Sequence, residues 1–248
     1  MIKFFRKIRQ KMLVENKFSK YLIYATGEVV LVVIGILIAL SINNCNTQRL
    51  NSIKEEHILL EIKDNLNEDL QNIEFVINEN AKKIRAIDSG FYFLSKMDEN
   101  LQRGRKFADL MPILTNHSIF NPTRVAFDNM ISTGNTDILL SDEVRKDISR
   151  YYSSDLLEGI QDQLIITSQG FLDETAPKLI NKTMLKGVKN LDFDIKSHND
   201  IAIHKDQILM SDLLVMEFKS KHHNEILNEM KSQIKALIAS INLYIDTK

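Results

Sequence analysis

Hydrophobic and polar positions follow two regimes along this chain, and they divide near residue 43. From Tyr21 to Ile42 the sequence YLIYATGEVVLVVIGILIALSI holds one ionisable residue, Glu28, and Val29 to Leu40 are apolar or glycine without interruption. Such a run is apolar on every helical face. At ~1.5 Å per residue it spans about 33 Å, against a hydrocarbon core of about 30 Å, which predicts a transmembrane helix over 21–42.

After Asn43 the apolar positions become periodic. Leu59, Leu66, Ile73, Asn80, Ile87 and Leu94 recur every seventh residue, and Leu70, Ile77, Ile84 and Phe91 form a second series. Two apolar heptad positions sustained in this way predict a long helix from about Asn51 to Lys96, with polar Asn80 as the interruption. Two packings satisfy the pattern: an arm folded against later helices of the same chain, or a parallel coiled coil between copies. Asn80 can set the register in either.

Later helices are announced by their ends. Asn121-Pro122 reads as a cap followed by proline at the first helical position, with Gly134 as the stop. Ser141 with Asp142 and Glu143 opens a helix whose apolar face carries Val144, Ile148 and Tyr151, and which continues with a break near Gly159 or Gly170. Residues 181–200 read as loop. A final helix carries Leu227, Met230, Ile234, Leu237, Ile241 and Tyr244 at three- and four-residue steps. Alternating strand patterns are almost absent. The fold class expected is therefore all-α: one transmembrane helix, then an elongated helical-bundle ectodomain with long antiparallel arms. Its parts are a basic amphipathic segment (1–20), the membrane helix (21–42), the heptad-patterned arm (43–100) and the remaining helices (101–248).

Composition adds constraints. Only 8 Gly and 3 Pro in 248 residues disfavour a turn-rich β fold, and a single cysteine excludes an internal disulfide framework. The net charge of −1 is a cancellation: residues 1–20 sum to +6 and residues 43–248 to −6. Short basic segments stay cytoplasmic, so the N-terminus is expected inside and the acidic remainder exported. Lys3, Arg6, Lys7, Arg9 and Lys11, interleaved with Phe5, Ile8 and Met12, suit an interfacial helix on anionic lipid; a disordered basic tail is the alternative. A cleaved signal peptide shares these features, but the long basic region and the length of the apolar run favour an uncleaved anchor.

The chemistry on offer is sparse. Phosphate loops, dinucleotide fingerprints, nucleophile elbows and HExxH motifs are missing, so no catalytic residue, metal or cofactor is assigned. Glu28 inside the apolar helix must be neutral, paired or within reach of water. Gly27, Gly35 and Ala39 place small residues on or near its face, which suits helix self-association. Cys45 falls just outside the membrane, either as an inert thiol or as a disulfide between two copies. Arg124, Arg150 and Tyr151 are candidates for an anion or ligand cleft, with ordinary capping and surface as the plainer alternative. His57 and His222-His223 lie on the two arms, where solvated helix faces are the usual place for histidine.

The opening MIKFFRKIRQKMLVENKFSKYLIYATGEVVLVVIGILIALSINN and the stretch FNPTRVAFDNMISTGNTDILLSDEVRKDISRYY carry a resemblance. Gly27-Glu28 followed by VVIGILIAL, then Ile42-Asn43-Asn44 and the Ser132-Thr133-Gly134 helix end, resemble domain-of-unknown-function family six thousand and ninety, single-pass membrane proteins of Gram-negative bacteria. That family usually has tryptophan after the paired asparagines, where this chain has Cys45. The resemblance implies an inner-membrane anchor and a periplasmic helical domain, and brings no activity. The function expected is a membrane-anchored interaction or scaffold module without catalysis, partnered by the bilayer and by a second copy or another membrane protein. A ligand-binding sensor ectodomain signalling through a partner is the alternative. Nucleic acid is not an expected partner, because the exported part is acidic and the basic stretch abuts lipid.

Overall fold

The computed structural model describes residues 18–96, 106–175, 177 and 203–248. The five basic residues from Lys3 to Lys11 and the loop at 181–200 lie outside them. Among the described residues every regular element is helical. In chain order these are α1 (Phe18–Ser95), α2 (Met111–Thr115), α3 (Val125–Ser132), a 3-10 turn (Asn135–Ile138), α4 (Asp142–Tyr152), α5 (Ile160–Glu174), a second 3-10 turn (Ile203–Lys205) and α6 (Gln207–Asp246).

The chain divides into two compact units, residues 1–57 and 58–248. In the first, α1 is long and apolar enough to cross a membrane, and its apolar window is not buried inside the protein. Val29 to Val33 are each about half exposed or more. The sequence pattern places a new helical start near Asn51, whereas α1 continues through residues 43–51 without a break. Nothing there interrupts it: between Gly35 and Gly90 the chain has neither glycine nor proline, and Thr47 Oγ1 donates to the Asn43 carbonyl at 3.0 Å.

In the second unit, two apolar cores form along the remainder of α1. One joins Leu59, Leu66 and Ile73 to Leu227, Met230, Ile234 and Ile241 of α6, with Phe127, Met130, Val144 and Ile148 from α3 and α4. The other joins Ile87 and Leu94 to Leu209, Leu213 and Met216 of α6, with Phe107, Leu114 and Phe171. Lys63 Nζ donates to Asn242 Oδ1 at 3.2 Å, Lys231 pairs with Glu74, and Asn80 meets Asn224. Partner numbers on α6 fall as those on α1 rise.

The first heptad series is buried throughout, Asn80 included. The second is displaced. Leu70, Ile77, Ile84 and Phe91 are only half-buried, and the inward series is Ile62, Asp69, Val76, Lys83 and Gly90. The buried face is thus rotated from the most apolar choice, because Asp69 and Lys83 find partners inside. Gly90 gives the Phe107 ring room there: a side-chain carbon at this position would meet it at 3.1 Å.

The expected cap at Asn121-Pro122 is not used. Helix α3 begins at Val125, and α1 satisfies one amide just before it and one in its first turn. Asp69 Oδ1 accepts from Thr123 N at 2.8 Å, and Asn65 Oδ1 accepts from Ala126 N at 3.1 Å. Gly134 does end the helix, in the left-handed region at φ 67°. Ser141 caps α4 by accepting from Val144 N, and Val144, Ile148 and Tyr151 are buried. The expected break falls before Gly159, not at Gly170: α4 stops at Tyr152, and the chain resumes helix after Gly159 (φ 80°) and runs through Gly170.

Candidate functional site

Between the two cores lies a layer of polar side chains that α1, α5 and α6 hold out of water. Asn80, Lys83, Ser168, Ser220 and His223 are all buried, the last two completely. Buried polar groups of this kind normally find partners, so each one asks where its hydrogen bonds go.

Asn80 Nδ2 donates to Asn224 Oδ1 at 2.8 Å and also lies 3.0 Å from His223 Nδ1. With Nδ1 accepting, the ring hydrogen of neutral His223 sits on Nε2. Among the described residues nothing accepts it there, and the neighbouring Ser220 Oγ is also without a partner. Burial penalises the imidazolium and His222 adds repulsion, lowering the His223 pKa from 6.5 to about 4. One turn further along α1, the Lys83 amine donates to Ser168 Oγ at 3.2 Å. Burial lowers its pKa from 10.5 to about 8, and among the described residues no carboxylate pairs with it. Lys219 Nζ donates to Thr167 Oγ1 at 2.7 Å, which fixes the level of α5 against α6. These pairs put Lys83, Ser168, Ser220 and His223 at one level of three helices.

A pocket of about 130 Å³ opens beside this layer, lined by Glu79, Asn80, Lys82 and Lys83 from α1 and by Pro112, Ile113, Asn116 and Ser118. Glu79 is held by Lys82. A serine next to a lysine of lowered pKa is also the arrangement of a nucleophile and its base. Ser168, however, is 1% exposed and does not line the pocket, so a substrate has no route to its hydroxyl. The geometry suits binding.

The second polar centre is Asp69. Its Oδ2 accepts from the Tyr151 hydroxyl at 2.6 Å while Oδ1 holds Thr123 N. Burial, then the hydrogen bond to Asp69, raises the Tyr151 pKa far above the ordinary phenol range. Arg124 donates to the Tyr152 carbonyl at 2.6 Å, reaches Asp128 at 3.3 Å and lies over the rings of Phe127 and Tyr152. Arg150 instead pairs with Asp147 on its own helix at 2.8 Å, its side chain 78% exposed. Of the three cleft candidates, Tyr151 is committed to Asp69, Arg124 to the end of α4, and Arg150 to solvent.

In the first unit, Cys45 is exposed, Glu28 is partly exposed, and Gly27, Gly35 and Ala39 are exposed. A side-chain carbon added at Gly27 or Gly35 would meet nothing within 4 Å. His222 keeps a solvated face and lies 3.3 Å from Glu225, whereas His223, one residue on, is fully buried. Among the described residues no three metal-ligating side chains gather. The sequence reading passed over Lys83, Ser168 and Ser220. The available signal was the seven-residue spacing that ranks Asp69 and Lys83 with Ile62 and Val76.

Neither a curated protein nor a solved structure matches this chain. A family model matches residues 28–166, from the apolar stretch of α1 into α5, and so covers Asn80, Lys83 and the Asp69 centre. The chain belongs to a family of unknown function, DUF6090.

Proposed function

We propose that the protein is a membrane-anchored interaction or scaffold module without catalysis. In this reading residues 21–42 cross a bacterial inner membrane with the basic N-terminus in the cytoplasm. The helices beyond stand in the periplasm as a bundle with antiparallel arms. The charge split and the apolar window of α1 support the anchor. The falling order of α6 partners along α1 supports the antiparallel arms.

The observation that carries the interaction role is an apolar stripe left on α6. Ile208, Leu214, Val215 and Phe218 follow one another at helical spacing, and Phe218 is 72% exposed. A photoreactive residue placed at 218 in the full-length protein should give one discrete crosslinked product in intact cells, and Leu214→Glu should abolish it. A crosslinking pattern without a specific product refutes the role.

One observation favours a second reading, a sensor-like ectodomain that binds a ligand and signals through a partner: the polar layer and its pocket lie among the helices, where small molecules are commonly held.

A further inference from the structure

We propose that a second copy of this chain docks along α1, parallel to it, through a face that repeats every eleven residues from the membrane helix to residue 57. This rests on the anchored-interaction reading and names the partner. Residues 43–54 are helical, yet every side chain there is exposed except half-buried Ser52. Seven of these twelve residues are Asn, Cys, Thr or Ser, weak helix formers that together cost about 4 kcal/mol against alanine. A helical stretch of such composition draws its stability in water from packing of an apolar face. The face is present: Ile42, Leu50 (47% exposed) and Ile53 (56% exposed) lie on one side of α1, and none of them is buried by the rest of the described chain.

The spacing says what covers it. Ala39 and Leu50, Ile42 and Ile53, and Asn46 and His57 are each eleven positions apart, and the same rows reach back to Glu28, Leu31 and Gly35. An eleven-residue repeat keeps one side of a helix in line with only a slight right-handed wind, so the membrane run and the segment beyond it present one surface. Buried Glu55 and Leu59 lie on the opposite side of α1, which leaves this face free for a partner. A copy anchored the same way round carries the same rows at the same height, and each row meets itself across a two-fold axis. Gly35 and Ala39 allow close approach in lipid, Leu50 and Ile53 make apolar contact in water, and Asn46 facing its own copy fixes the register. The area agrees. Thirty residues at about 1.5 Å each give a strip about 45 Å long, and a width of about 10 Å makes about 900 Å² over both copies. That falls just short of a stable pair free in water and suffices for copies that one membrane already holds side by side.

The test is a cysteine scan of the full-length protein in native membranes. On a Cys45→Ser background, Asn46→Cys, Leu50→Cys and Ile53→Cys are oxidised with copper phenanthroline and read on non-reducing gels. Asn44→Cys, Gln48→Cys and Asn51→Cys, on the other side of the helix, are the controls. All six positions are exposed, so accessibility alone predicts equal yields, and the substitutions leave both cores intact. Because a disulfide needs the two backbones within about 7 Å, the dimer band at 46, 50 and 53 should be about fivefold stronger than at 44, 48 and 51. Adding Leu50→Glu should cut the yield at 46 about tenfold. Equal yields at all six positions, a maximum at the controls, or no band anywhere overturns the pair, as does a product whose mass is not that of two copies. None of these outcomes touches the photocrosslink at position 218, by which the interaction role itself is judged.

Discussion

Replacing Lys83 by methionine removes a buried amine and keeps an unbranched side chain of similar length, so the cost of burying that amine becomes measurable. In the folded protein the amine titrates near 8 rather than 10.5. A depression of about 2.5 units corresponds to about 3 kcal/mol, at about 1.4 kcal/mol per unit. Above pH 10.5 the amine is neutral in both folded and unfolded chains, and the cost is absent. As pH falls toward 8 the unfolded chain takes up a proton that the folded one resists, and stability is lost; below 8 the loss is complete. Methionine escapes this but leaves Ser168 Oγ without its donor, which returns about 1 kcal/mol. The net expectation at pH 7 is a gain of about 2 kcal/mol, or about 4 to 8 °C in melting temperature. Urea unfolding followed by circular dichroism between pH 7 and 10.5 measures both the gain and its pH dependence. The difference between the two proteins should shrink as pH rises through the window. A Lys83→Met protein less stable than the wild type at pH 7, or a difference independent of pH, would show that the amine is compensated in a way this structure does not contain.

His223 gives the acidic counterpart. Its depressed pKa means that stability is intact above pH 6.5 and is lost as pH falls toward 4, by about 3 kcal/mol; urea midpoints for the wild type and His223→Gln should converge over that range. Asp69→Asn keeps the shape but must accept from Thr123 N and Tyr151 with one oxygen, and should cost about 1 to 3 kcal/mol in chemical denaturation. If Cys45 bridges two copies, a non-reducing gel shows a dimer band that Cys45→Ser removes; a band that survives the substitution, or none at all, disproves the bridge. A membrane two-hybrid signal for self-association should fall with Glu28→Leu and with Gly35→Leu, and an unchanged signal counts against that contact.

Much of the helical framework was legible because it rests on local signals. The apolar run at 21–42, the Leu59-to-Leu94 series, the Ser141 cap and the left-handed Gly134 each depend on residues within a turn or two. What escaped depends on distant partners. Asn121-Pro122 reads as a cap locally, but the Thr123 amide it would serve is bonded by Asp69, more than fifty positions earlier in the chain. Leu70 and Ile77 looked more buried than Asp69 because apolar character outranks a carboxylate until Tyr151 and Thr123 are brought to it. The two adjacent histidines are alike in sequence, and only the docking of Asn80 tells the buried one from the solvated one. The candidate site was therefore legible only at Asn80, the polar break in an otherwise apolar series.

The polar layer also bears on how the second unit comes apart. Each core has its own share of α1 and α6, and between them stand groups whose burial weakens the fold. Helices interrupted in this way open in stages. The segment holding Leu94, Leu209 and Leu213 can release its backbone amides to solvent exchange while the segment around Ile73 and Ile234 stays closed.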